Sequence, residues 1–162
     1  MIAVLVVAQG QSGQQPRLPT GTRADAVVIE KTRHTMTLYR DGQALRTYAV
    51  SLGLGGLEPK TRAGDNRTPE GRYRIDGRNQ RSSFHLSLHI SYPTADEAAA
   101  AAAQGVDPGG GIMIHGLRNG LGWLGSIHHL MDWTGGCIAV TNREIEEIWR
   151  VVPDGTPVEI RH

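Results

Sequence analysis

Short runs of β-prone residues, each closed by glycine or proline, constrain the fold of this 162-residue chain more than any other feature. The first two runs are Ala26–Lys31 and Thr35–Arg40, and the Asp41-Gly42 pair that follows them is a strong signal for a β-hairpin. Gln43–Ser51 supplies the returning strand. The chain holds 21 glycines and 8 prolines, so glycine or proline ends many such runs along its length. The pattern predicts a mostly β protein built from short strands.

Two stretches predict helices. Thr94-Ala95-Asp96-Glu97 is a capping box before six consecutive alanines, and Gly105 supplies the stop. Thr141-Asn142-Arg143-Glu144 is a second capping box, which opens a helix with an apolar face. The length suits one core of ordinary size. We therefore expect one domain in which two sheets pack or roll against each other, with one or two short helices.

The first 22 residues differ in composition from the rest of the chain. Ile2–Ala8 is uniformly apolar, but it is far shorter than the roughly 20 residues that span a membrane. It is typical of the end of a secretory leader without its basic start, and equally of a strand-like or irregular N-terminus. Gln9–Thr22 is rich in Gln, Gly and Pro, which predicts a linker. We expect the folded domain to span residues 23–162.

Charge and spacing disfavour several classes of ligand. Seventeen Lys and Arg against sixteen Asp and Glu leave no basic surface for nucleic acid. Gly53–Asn66 combines four glycines with nearby cations, but it lacks the order of a phosphate-binding loop. His85 and His89 share the polar face of the alternating run Ser83–Ser91, without further ligands at metal-site spacing. We predict no metal and no other cofactor.

The only cysteine, Cys137, follows two glycines and precedes an apolar strand-like run. A single thiol cannot form an internal disulfide, and bare glycine backbone beside it lets a substrate approach. The alternative is a small buried hydrophobe, since free Cys is among the most buried residue types. Ile112–His115 predicts a buried strand ending in a histidine 22 positions earlier. An imidazole within reach activates a thiol, so the two residues together predict a cysteine nucleophile.

The stretch Leu117–Met131, between that histidine and the cysteine, is rich in glycine and predicts a folded loop over the site. It contains His128 and His129, which compete with His115 as the base. The other interpretation of these two residues is exposed loop imidazoles. We prefer His115 because it ends a predicted buried strand.

Four motifs in order resemble the L,D-transpeptidase (YkuD-like) catalytic domain of bacterial cell-wall enzymes. One motif alone is unspecific, but their order along residues 23–162 is specific. The motifs are Tyr48-x-Val50-Ser51-Leu52-Gly53, Thr68-Pro69-Glu70-Gly71-x-Tyr73, Ile114-His115-Gly116 and Thr134-x-Gly136-Cys137-Ile138. In that family the corresponding histidine and cysteine form the reactive pair, so the resemblance implies the same roles for His115 and Cys137.

The resemblance also implies a mechanism. His115 takes the thiol proton, and Cys137 attacks an amide carbonyl to form a thioester, which an amine or water releases. A thiolate beside an imidazolium is expected to have a lowered pKa. Backbone N–H groups at Gly136 and Cys137 are expected to hold the oxyanion, and a carbonyl near Gly116 to orient the imidazole. Further positions expected to contact substrate are Thr134, Gly135, His85 and Arg118.

Two positions depart from the family pattern. Many members have His directly before the Gly-Cys pair and Arg two residues after the Cys, where this chain has Gly135 and Ala139. A branch of the family carries this T-x-G-C-I-A form, so catalysis is retained. The cation for the donor's carboxylate must then come from elsewhere, and we expect Arg62, Arg67 or Arg118 to supply it.

The predicted function is therefore L,D-transpeptidation of peptidoglycan stem peptides by an exported enzyme of the periplasm or cell envelope. Carbapenem-type β-lactams are expected covalent inhibitors, and no obligate protein partner is evident. Two alternatives stay open. One is an L,D-carboxypeptidase or endopeptidase on the same scaffold, and the other is a non-catalytic wall-binding module, which would not need Cys137 and His115.

Overall fold

The computed structural model describes residues 15–162, which fold into one eight-stranded sheet with three short helices. The predicted leader remnant Ile2–Ala8 lies outside the described residues. The strands are β1 (Ala26–Glu30), β2 (Thr35–Arg40), β3 (Gln43–Ala49), β4 (Gly71–Ser82), β5 (His85–Ile90), β6 (Met113–His115), β7 (Ile138–Ala139) and β8 (Pro157–Arg161). The helices are α1 (Ala95–Ala103), α2 (Asn142–Val151) and a 3-10 segment (Gly122–Leu130). In the part of the chain described, no helix is long and apolar enough to traverse a bilayer.

The sheet is rolled until its two edges meet. Its strand order is β3-β2-β1-β8-β4-β5-β6-β7. The 12-residue strand β4 joins the two halves, because its start pairs with β8 and its remainder pairs with β5. Beyond β3, Ser51 pairs with Ala139 of β7 and Gly53 pairs with Thr134, which closes the roll. The mostly β, rolled fold is confirmed. The two sheets that the sequence predicted are the two halves of one continuous sheet.

The interior of the roll is aliphatic, and α2 packs on it. Three residues on one face of α2, Ile145, Ile148 and Val151, are fully buried in the same cluster as the strand residues. Both predicted capping boxes are present, with Thr94 and Thr141 each accepting from the backbone N–H three residues on. Helix α1 buries little more than one alanine, so it is peripheral.

A buried carboxylate ties α2 to the sheet. Glu147 is 3% exposed and accepts hydrogen bonds from Tyr48 Oη at 2.7 Å and Arg46 Nη1 at 2.9 Å. It also accepts from the backbone N–H of Leu18 at 2.8 Å, so residues before Arg23 lie against α2 as well. One side chain therefore joins the helix, the strand β3 and the N-terminal segment.

We predict that Glu147→Ala lowers the free energy of unfolding by about 3–5 kcal/mol, because it leaves the largely buried Arg46 guanidinium without its partner. The adjacent Glu146 is a matched control. Its side chain is 39% exposed and pairs with Arg17 and His85, so Glu146→Ala is expected to cost about 1 kcal/mol or less. Urea denaturation measures both values, and equal losses would contradict the assignment.

Candidate active site

Two parallel strands bring the predicted nucleophile and base to one side of the sheet. β6 pairs with β7 in a register that sets His115 opposite Ala139. Cys137, two residues before Ala139, shares its face because side chains alternate along a strand. Cys137 and His115 both line one cavity of about 810 Å³. The sequence separation of 22 residues is thus closed by strand pairing.

The imidazole of His115 is held in one orientation. It is 3% exposed, and its Nδ1 lies 2.6 Å from the carbonyl oxygen of Gly116. Because a carbonyl only accepts, Nδ1 carries the proton and Nε2 has the free lone pair. The ring packs against Phe84 and Trp133, with centroids 4.4 and 5.8 Å away. Burial lowers the pKa of His115, although the Gly116 carbonyl opposes this.

Thr134 shapes the turn that presents the thiol. Its Oγ1 donates to the carbonyl of Cys137 at 2.7 Å and accepts from the N–H of Gly136 at 3.1 Å. Its backbone is fixed by hydrogen bonds to Leu52 and Leu54. Between these points Gly136 has φ +127°, a conformation open to glycine. Thr134 therefore braces the loop, its expected substrate contact stays a prediction, and the Gly136 N–H already has an acceptor.

The thiol itself lies in an apolar setting. Its Sγ donates to the carbonyl of Gly111 at 3.4 Å, and within residues 15–162 no hydrogen bond joins it to His115. Burial raises the pKa of the Cys137 thiol, against smaller opposing effects of the Met113 N–H and the Lys60 charge. The expected lowering of the thiol pKa is therefore wrong for this state. Burial therefore favours the neutral thiol and the neutral imidazole in this state.

The 3-10 segment forms the apolar wall of the cavity. It contributes Leu124, Ile127 and Leu130, and its turns are interrupted at Gly125, with φ +50°. Its outer face is also apolar, since Trp123 is 76% exposed and Leu130 is 83% exposed. The predicted loop over the site is thus a short helical cover.

The two histidines of the cover are not exposed loop residues. His128 is 7% exposed and lines the cavity, and His129 is partly buried beside it with ring centroids 3.9 Å apart. Burial lowers the pKa of His128 to about 4, and the charges of His129 and His115 add to this effect. Burial also lowers the pKa of His129. The interpretation as exposed imidazoles is wrong, because the cover packs these rings inward.

Comparison with known proteins agrees with this geometry. Residues 24–160 match the L,D-transpeptidase catalytic domain family, YkuD. The chain belongs to this family. YafK of Escherichia coli K12, itself assigned as an L,D-transpeptidase by inference, is 32% identical over 133 residues, covering 78% of this chain and 46% of that protein.

Solved structures share the fold. The helical cell shape determining protein Pgp2 of Campylobacter jejuni superposes with a TM-score of 0.67 at 25% identity, over 88% of this chain and 49% of that one. The transpeptidase LdtMt1 in complex with imipenem superposes with a TM-score of 0.54 at 19% identity, over 84% and 58% of the two chains. The chain spans about half the length of YafK and of Pgp2.

The structure brings together most of the site residues that the resemblance to L,D-transpeptidases predicted. Arg118 and Gly135 line the cavity with Cys137, His115 and Thr134. Gly116 lies behind the imidazole, where a Cβ would meet Asn142 Oδ1 at 2.7 Å. Arg62 and Arg67 do not reach this cavity, because they line a separate one of about 290 Å³ with Asp65.

His85 is not in the cavity, which corrects the prediction that the polar face of β5 borders it. Its Nε2 lies 2.9 Å from Glu146 Oε1 on α2, and His89 pairs with Asp76. The residue just before β5, Phe84, lines the cavity instead. Sequence reasoning missed Phe84 and Trp133, although one is the only phenylalanine and the other directly precedes the cysteine motif.

We predict that Gly136→Ala disrupts the thiol loop, because a Cβ there would lie 2.6 Å from the Arg67 carbonyl and the positive φ is strained. The strain alone costs about 1–3 kcal/mol. Gly135→Ala is the control, since its Cβ would meet only Asn66 Oδ1 at 3.8 Å. Denaturation midpoints of the two variants check this, and a Gly136→Ala protein as stable as Gly135→Ala would refute it.

A second prediction concerns pH. The thiolate is the species that alkylates, so a raised thiol pKa in the folded protein shifts iodoacetamide labelling of Cys137 to higher pH. We expect a midpoint above the value of about 8.5 for free cysteine. The same protein unfolded in urea supplies the reference curve for the same residue. A folded-state midpoint below that reference would instead indicate a resting thiolate–imidazolium pair.

Proposed function

We propose that this chain is a cysteine-dependent L,D-transpeptidase that acts on peptidoglycan stem peptides through a thioester. The observation that carries the proposal is the shared cavity of Cys137 and His115, in which the Gly116 carbonyl leaves Nε2 of the imidazole as a base. Membership of the family supports the reaction class.

In the proposed first half-reaction, Nε2 of His115 takes the thiol proton as Sγ of Cys137 attacks the donor's amide carbonyl. The C–N bond then breaks, and the leaving amine takes the proton from His115. Since the Gly136 N–H donates to Thr134, we propose the backbone N–H of Cys137 as the oxyanion donor. In the second half-reaction an acceptor amine attacks the thioester and the thiol is restored.

Arg118 is the proposed cation for a donor carboxylate. It lines the thiol cavity, is exposed, and makes no side-chain hydrogen bond or ion pair within residues 15–162. Arg62 and Arg67 lie in the other cavity, where Asp65 partly offsets their charge. Arg118 can therefore make the charge-assisted contact to the carboxylate that a histidine and an arginine would make in family members, where this chain has Gly135 and Ala139.

The reaction on stem peptides requires an active site that faces the cell wall, so export to the periplasm or envelope is part of the proposal. Carbapenems are the proposed covalent inhibitors. A structure of LdtMt1, which shares this fold, was determined with imipenem. The thiol cavity is large enough for such a ligand, since drug-sized pockets span roughly 300–1,000 Å³.

Incubation with defined muropeptides, read by mass spectrometry, tests the function. The wild type is expected to form L,D-linked dimers, whereas Cys137→Ala forms neither dimers nor trimmed monomers. His115→Gln is expected to lose at least about 100-fold in rate, the usual contribution of a general base. Trimmed monomers alone at high acceptor concentration would assign an L,D-carboxypeptidase or endopeptidase instead.

The same assay separates Arg118 from the catalytic pair. Arg118→Ala is expected to raise KM for a donor carrying the free carboxylate, with kcat nearly retained. The reason is that a contact made equally to the bound substrate and to the transition state affects KM and not kcat. Arg62→Ala, in the other cavity, is the matched control. A larger effect of Arg62→Ala than of Arg118→Ala would move the carboxylate site to that cavity.

A further inference from the structure

His128 is a buried histidine in the wall of the thiol cavity that the proposed mechanism does not use. It is 7% exposed and lines the same cavity as Cys137 and His115. Its Nε2 is buried and, like Nδ1 of the adjacent His129, has no hydrogen-bond partner among the residues the structure describes. Buried polar atoms are nearly always paired, so an unpaired nitrogen beside a reactive thiol requires an explanation.

The hydrogen bonds of Ser51 determine which proton His128 carries. Ser51 Oγ lies 2.9 Å from the carbonyl oxygen of His128 and 3.1 Å from its Nδ1. Because the carbonyl only accepts, the hydroxyl donates to it and accepts from Nδ1–H. Trp133 Nε1 also directs its N–H at the same Nδ1 from 3.4 Å, which an Nδ1–H opposes, but the two shorter Ser51 contacts are satisfied together only when Nδ1 carries the proton. Nε2 of His128 is therefore unprotonated and can accept a hydrogen bond, as can Nε2 of His115.

The strand register sets the two imidazoles on either side of a small residue. Ser51 pairs with Ala139, and Ala139 pairs with His115. Paired residues of adjacent strands project to the same face of a sheet, so Ser51 and His115 flank Ala139 on the cavity side. Ala139 is itself fully buried, and Ser51 holds His128 on this side of it through two hydrogen bonds. His115 is close enough that its charge lowers the pKa of His128.

We propose that His128 is an acceptor-binding residue whose Nε2 accepts a hydrogen bond from the incoming primary amine as that amine attacks the thioester. The inference rests on the proposed function. One N–H of the amine gives its proton to Nε2 of His115, and a second N–H is held by His128. The new C–N bond forms, the C–S bond breaks, and the proton on His115 returns to Sγ of Cys137.

The remaining cavity wall indicates the class of amine. Besides these polar groups it is formed mainly by aliphatic and aromatic side chains, so it suits an amine at the end of a methylene chain. Because Nε2 of His128 is buried, the amine must displace part of the wall to reach it. The 3-10 segment that carries His128 is already interrupted at Gly125.

Separate measurement of the two half-reactions tests this role. Acylation of Cys137 is measured from the intact mass of the protein after incubation with a carbapenem. The partition of the thioester between amine and water is measured as the ratio of cross-linked to hydrolysed product at increasing concentrations of acceptor muropeptide. His128→Leu is expected to acylate within about twofold of wild type. Its partition towards the amine is expected to fall about five- to tenfold, the effect of one lost neutral hydrogen bond. His128→Gln, whose amide oxygen still accepts, is expected to recover most of this loss.

His129→Leu is the matched control. It removes the neighbouring imidazole, which does not line the cavity, and it is expected to partition as wild type. The proposal is overturned by wild-type partition in His128→Leu, by an equal fall in His129→Leu, or by parallel losses of acylation, partition and Tm that mark a structural role. A wild type that forms the acyl-enzyme but never an amine product would reject the proposed transpeptidation as well.

Discussion

The pairing of Ser51 with Ala139 is the constraint on which the site depends. β7 has two residues, too few to hold a position by itself, and it is fixed because β6 lies on one side and Ser51 on the other. The same pairing closes the roll. Closure of the roll therefore supports the same short strand that sets Cys137 and His115 on one side of the sheet.

Behind the thiol, a second set of contacts fixes the loop against which Gly136 packs. Lys31 is fully buried, and its Nζ donates to the carbonyls of Thr68 at 2.8 Å and Glu58 at 3.2 Å, with Glu70 Oε1 at 3.4 Å. Burial lowers the pKa of Lys31, against the raising effect of Glu70. Thr68 in turn accepts from the N–H of Gly53, the residue that pairs with Thr134. A chain of polar contacts thus runs from the buried Lys31 to the turn that carries Cys137.

Local patterns in the sequence were sufficient for most strands and for both capping boxes, because each depends on neighbouring residues, whereas closure of the roll depends on the distant pairing of Ser51 with Ala139. The motifs likewise led to Cys137, His115 and Gly135, which line one cavity, and of the three arginines expected to supply a cation only Arg118 lines it too. What they did not show depends on tertiary packing. His85 lies on the polar face of its strand, as the alternation of the sequence predicts, but Glu146 on α2 holds its side chain outside the cavity. His128 is buried because the cover folds inward, and the raised pKa of the thiol follows from that burial, neither of which a linear spacing records.

The crowded backbone at Gly136 limits which residues the thiol loop tolerates over evolutionary time. Every L-residue at this position would meet the carbonyl of Arg67 and a φ of +127°, so a substitution there disturbs the turn that holds Cys137. Gly135 has open space, and the exposed apolar residues of the 3-10 segment, such as Leu130, carry little of the core. Sequence drift that keeps the fold is therefore directed to the rim and cover of the cavity and away from the thiol loop.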